Sequence, residues 1–170
     1  MTATEVLVNE LDDAFAHKWD SLRTALNGVT EEEALWQAPC YRDVEQEKGM
    51  SPSGTILWQV AHLHGCKQGY LDSIRHRGGD APDKTYPDPE PTLAGELASL
   101  MRTQEAMRNE ISALTDADLE MITCKMPLYQ YLNNIIRHDI WHSAQIAMAR
   151  RLYKHAVTTK ESEQLLKIEK

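Results

Sequence analysis

The chain has 170 residues, 42% of them hydrophobic, which is enough for one core in a single domain without disulfides or other staples. Its formal net charge of −8 and pI near 5.3 exclude the clustered lysines and arginines of a phosphate-binding surface, so no nucleic-acid partner is expected. Cys40, Cys66 and Cys124 are widely spaced and form no Cys-x-x-Cys, which argues against a disulfide framework or a thiolate zinc site and leaves reduced thiols.

At the N-terminus, Met1 to Leu7 carries polar and acidic residues with no basic segment leading into an apolar run, so it does not read as a signal peptide. No stretch approaches the roughly 18 apolar residues of a membrane span. An acidic, soluble, cytoplasmic protein is the expectation. From Thr4 to Asn27, Leu7, Leu11, Phe15, Leu22 and Leu26 recur at helical spacing, and Gly28 offers a stop. Thr30 to Glu33 has capping-box spacing ahead of Ala34, Leu35 and Trp36, predicting a short helix that ends at Pro39. Residues 40–52 are charged, contain Gly and Pro, and read as a loop.

Ser53 can cap a second long helix reaching Arg77, with Ile56, Val60, Leu63, Tyr70 and Ile74 as its apolar stripe and Gly78-Gly79 as its end. Pro82, Pro87, Pro89 and Pro91 then make a long irregular connection. Thr92 reads as the cap of a third helix that buries Leu93, Leu97, Leu100, Met101, Met107, Ile111 and Leu114. Thr115 to Leu119 is a link, and Met121 to Met126 is too short to argue a sheet. A fourth helix starts near Leu128 and runs to about Tyr153, followed by a polar tail. These segments predict an all-α fold, a four-helix bundle over 1–155 with a long crossover after the second helix, and a tail over 156–170.

On the fourth helix Tyr131, Ile135, His138, His142, Ile146 and Ala149 share one side, so two histidines one turn apart lie inside an apolar stripe. A buried imidazole must satisfy both ring nitrogens, and a shared metal ion does so for both rings at once. The second helix offers His62 and His64 as a third ligand, and periodicity does not choose between them. His17, His64, His76 and His155 have no partner visible in sequence and read as surface or edge residues. Asn134 and Gln145 lie within a turn of the histidine pair and are candidates to orient a ligand or bind substrate. Cys66 follows His62 by one turn and reads first as a small buried hydrophobe. Trp58, Tyr70 and Trp141 can wall a pocket, pack in the core or serve a dimer interface.

Arg137-His-Asp-Ile-Trp-His-Ser-Ala-Gln-Ile resembles the fourth-helix motif of the DinB-like superfamily, also called YfiT-like metalloenzymes, in which two histidines four apart precede Gln-Ile. Trp58-Gln-Val-Ala-His62-Leu resembles that family's second-helix motif, and Thr30 to Pro39 its short segment after the first helix. The resemblance selects His62 over His64. It implies a four-helix bundle, often dimeric, that binds a divalent metal, zinc or nickel, through His62, His138 and His142. Three neutral imidazoles leave the fourth position of a tetrahedral ion open, as in catalytic sites. The implied function is activation of a thiol or water, most readily as an S-transferase or isomerase that acts on a small-molecule substrate with a low-molecular-weight thiol. The alternative is a non-catalytic dimeric helical module that binds metal or ligand. An HExxH protease is disfavoured because Asp139 stands where that motif needs Glu.

Overall fold

A capping box opens the first helix: Thr2 Oγ1 accepts from Glu5 N, the Glu5 carboxylate accepts from Thr2 N, and α1 spans Ala3–Ala16. The computed structural model describes residues 1–41, 52, 54–79 and 87–168, with the backbone alone for 40 and 160–168. The single helix expected over 4–27 is broken after Ala16, and α2 covers Leu22–Leu26. Hydroxyl chemistry causes the break. Ser21 Oγ and Thr24 Oγ1 both donate to the His17 carbonyl, at 2.6 and 2.8 Å, while Ser21 Oγ accepts from Thr24 N, so α1 ends and helix restarts on a new axis. Gly28, at φ 72°, closes α2 as expected.

Thr30 caps α3 (Glu31–Leu35) as expected, but the helix stops short of the expected end at Pro39, with Trp36 already extended at φ −67° and ψ 128°. The next helix, α4 (Ile56–Arg75), is capped by Thr55, whose buried hydroxyl accepts from Trp58 N at 3.1 Å. Ser53, the cap expected from sequence, lies outside the described residues, as does most of the 40–52 loop. Thr92 caps α5 (Leu93–Ser112), and Glu31 reaches across from α3 to accept from Leu93 N and Ala94 N. Met101, expected on the buried side, is 51% exposed, because it stands one residue past Leu100 and turns off the stripe.

Cross-helix pairs fix the directions. His64 meets Glu96, Lys67 meets Gln104 and Arg75 meets Glu110, so positions on α4 and α5 rise together and the two helices are parallel. The connection over 76–92 must therefore run back along the bundle, which is the predicted crossover; its residues 80–86 lie outside the described residues. Arg108 meets Asp12 and Asp116 meets Thr4, so α1 is antiparallel to α5. The last helix, α6 (Leu128–Ile168), is antiparallel to α4, since Gln59 faces His142 and Tyr70 faces Tyr131. The long helices thus run up, down, down, up, with α1 and α4 each packed against both α5 and α6.

Between α5 and α6 the mixed segment does form a small sheet, β1 (Ile122–Thr123) against β2 (Met126–Pro127). Cys124 and Lys125 turn it with φ of 50° and 67°, the left-handed values that a two-residue hairpin turn requires. At the other end, α6 runs on to Ile168, past the expected end near Tyr153. No Gly or Pro follows Tyr153 to stop it. No helix among the described residues is long and apolar enough to cross a membrane.

The core is divided. One apolar cluster joins Leu7 and Leu11 of α1, Leu71 and Ile74 of α4, Met107 and Ile111 of α5 and Leu128 to Ile136 of α6. A second joins Leu22, Ile56, Val60, Leu63, Leu100 and Ile146. Along α4, α5 and α6 the interval between the clusters holds Lys67, Gln104, His138, Asp139 and His142, a polar layer across the middle of the bundle.

Candidate metal centre

Helical spacing places Gln59, His62 and Cys66 on one face of α4, and the antiparallel packing of α6 sets His138 and His142 opposite them. His138 Nε2 and His142 Nε2 stand 3.1 Å apart. The His62 ring centroid is 5.4 Å from that of His138 and 5.1 Å from that of His142. One ligand nitrogen from each of the three rings lies within 4.8 Å of the other two, a group that could hold a metal ion.

The electrostatics suit that use. Burial pushes the His142 imidazole down to about 3, helped by His138 and His62. His138 is lowered to about 4 by burial, then by His62 and by the Lys67 ammonium. Both rings are therefore neutral near pH 7, the state in which imidazole offers a lone pair to a cation.

Aromatic rings flank the cluster. Trp58 stacks on His62 with centroids 5.1 Å apart and planes 13° from parallel, and Tyr70 meets His138 edge-on at 5.9 Å. Trp141 points the other way and is 63% exposed, so it does not wall this site.

His62 and His64 sit 200° apart around α4, so only one can face α6. His62 does; His64 turns to α5, is buried, and sets Nδ1 3.0 Å from Glu96 Oε2. The edge position expected for His64 is thus corrected, because α5 supplies a buried carboxylate that no pattern in α4 announces. His17 pairs with Asp20 at a half-exposed position, His76 Nδ1 donates to the Asp72 carbonyl, and His155 is exposed.

Cys66 Sγ lies 3.5 Å from His62 Nε2, yet the three-histidine group does not include it. Asn134 donates to Met126 Sδ at 3.4 Å and accepts from Arg137, and neither contact is to an imidazole. Gln145 is half-buried one turn beyond His142. Gln59, a residue the sequence did not single out, sets its Oε1 against His142 Nδ1.

Asp139 is no candidate base. It is 1% exposed and holds Lys67 Nζ, 0% exposed, at 2.6 Å, while Gln104 Oε1 accepts from the same ammonium at 2.8 Å. Burial pushes Lys67 below the usual lysine range and Asp139 above the usual carboxylate range, and each one's charge pulls the other back. Sequence reasoning missed both Gln59 and Lys67. Lys67 carries a signal, since it interrupts the Val60, Leu63, Leu71, Ile74 stripe.

The sequence profile described as the DinB superfamily matches residues 14–146, which include all three histidines. No curated protein matches the chain.

Proposed function

The chain belongs to the DinB superfamily, and from that premise we propose that His62, His138 and His142 hold one divalent metal ion, zinc or nickel, in an enzyme that activates a thiol or water. The supporting observation is the convergence of three imidazoles from antiparallel α4 and α6, with ligand nitrogens within 4.8 Å of one another. An ion held by these three imidazoles would lower the pKa of a thiol or water bound to it. The reaction class is an S-transferase or isomerase, with a low-molecular-weight thiol as co-substrate and a small molecule as acceptor.

The chain's own residues bind and shield. Trp58 covers one face of His62 and Tyr70 abuts His138, which limits the approach of solvent from those sides. Asp139 is committed to Lys67, so the proton of the reacting thiol or water leaves to solvent or substrate and not to a carboxylate of α6. The working unit is a homodimer in the cytoplasm. Support for the dimer is an exposed stripe on α6, Ile140, Trp141, Met148 and Leu152, beside exposed Trp19. Support for the compartment is that Cys66 and Cys124 are thiols.

Metal analysis of untagged protein tests the site, with about one equivalent of zinc or nickel per chain expected and a small fraction of that in His138→Ala/His142→Ala. Equal and negligible metal in both proteins rejects it. Chelator-sensitive consumption of a small thiol in a substrate panel then tests the activity. Metal binding without any such turnover favours the non-catalytic module. Trp141→Glu is expected to give a monomer in sedimentation, and an unchanged assembly rejects the α6 interface.

A further inference from the structure

We propose that Gln59 is a positioning residue that fixes His142 as its Nδ1–H tautomer and so leaves His142 Nε2 free to hold the ion. The inference rests on the three-histidine reading above and deepens it.

An amide oxygen can only accept, so the contact between Gln59 Oε1 and His142 Nδ1 requires that Nδ1 carry the proton. A neutral ring has one N–H, which leaves a lone pair on His142 Nε2. That nitrogen stands 3.1 Å from His138 Nε2, on the side where the three imidazoles converge. His138 Nδ1, by contrast, is buried with no hydrogen-bond partner among the described residues, so His142 is the ring of the pair that a side-chain acceptor orients.

Gln59 suits this role because it is 5% exposed and stands one turn before His62 on α4. The helix that contributes one ligand therefore also carries the acceptor that orients another. Outer partners of metal-bound histidines are typically worth 10–100-fold in affinity.

Long-range ¹H–¹⁵N spectra of the full chain at pH 7.5, assigned with His138→Gln and His142→Gln, test the proposal. The expected result is His142 as Nδ1–H before and after zinc is added. Gln59→Leu is expected to release the His142 tautomer and to weaken zinc binding roughly 10–100-fold, whereas Gln59→Glu, which keeps an acceptor, retains the Nδ1–H form and binds within a few-fold of wild type. An Nε2–H His142 in the metal-free wild type, or a Gln59→Leu variant that binds zinc undiminished, overturns it. If wild type takes up no zinc, the three-histidine reading fails, while the metal-free spectrum still decides the role of Gln59. If Gln59→Leu does not fold, the two wild-type spectra decide alone.

Discussion

A lysine and an aspartate with almost no exposed surface carry one of the largest single-residue stakes in the molecule. Lys67→Met leaves Asp139 buried and charged without a partner, and Asp139→Leu does the same to Lys67, so each is expected to cost about 3–5 kcal/mol in urea unfolding. The double variant is expected to cost less than either single one, because two uncompensated charges vanish together. Additive losses would refute the pairing. Lys67 was legible in the sequence as a charge on an apolar stripe, and Asp139 stands among Ile135, His142 and Ile146 in the same way. Gln59 was not legible, since its side of α4 gains meaning only once His142 stands opposite. The choice between His62 and His64 has the same character: each lies on a defined face, but which face meets α6 is a property of the assembled bundle.

Two sets of side-chain contacts tie the short helices to the long ones. Arg150 of α6 donates to Glu33 Oε1 and to the carbonyls of Ala25 and Asn27, each at 2.8 Å, clasping α6 to α2 and α3. Arg150→Met strands a buried carboxylate and two helix-end carbonyls, with an expected loss of about 2–4 kcal/mol in chemical denaturation. Glu31→Ala removes the acceptor for Leu93 N and Ala94 N and is expected to cost about 1 kcal/mol. Glu105→Ala, exposed on the same α5, should stay within about 0.5 kcal/mol, and equal effects of the two would count against the cap. At this scale the four long helices could be read from periodicity, and the caps at Thr30 and Thr92 from hydroxyl placement, whereas the Thr2 and Thr55 caps were not singled out. The break after Ala16 could not, because Leu22 and Leu26 keep the spacing of Leu7 and Leu11 while belonging to the other cluster. The small hairpin also escaped, since two-residue strands leave no alternation to detect.

For the molecule as a whole, the lowered histidines make stability depend on pH in a definite direction. In the fold His138 and His142 take up protons only near pH 4 and pH 3, whereas in the unfolded chain they do so near 6.5. The unfolded state thus binds more protons between those values, and the metal-free protein is expected to hold its full stability above about pH 6.5 and to lose it as the pH falls toward 4. Urea midpoints of the chelated protein at pH 7.5, 5.5 and 4.5 measure this, with His138→Ala/His142→Ala expected to flatten the slope; a rise on acidification would refute it. The crossover topology was readable from the proline-rich connection, whereas the division of the core in two was not, since it depends on which residues of separate helices share a level. That division has a mechanical consequence. In a bundle with uniform leucine layers, one helix can slip a turn, about 5.4 Å, past its neighbour and meet an equivalent surface. Here the same slip of α6 along α4 would set the Lys67 ammonium against Ile135 and carry Asp139 into hydrocarbon. The charged stratum serves as an index notch, so the alignment of three imidazoles is indexed by a lysine whose own hydrogen bonds go elsewhere.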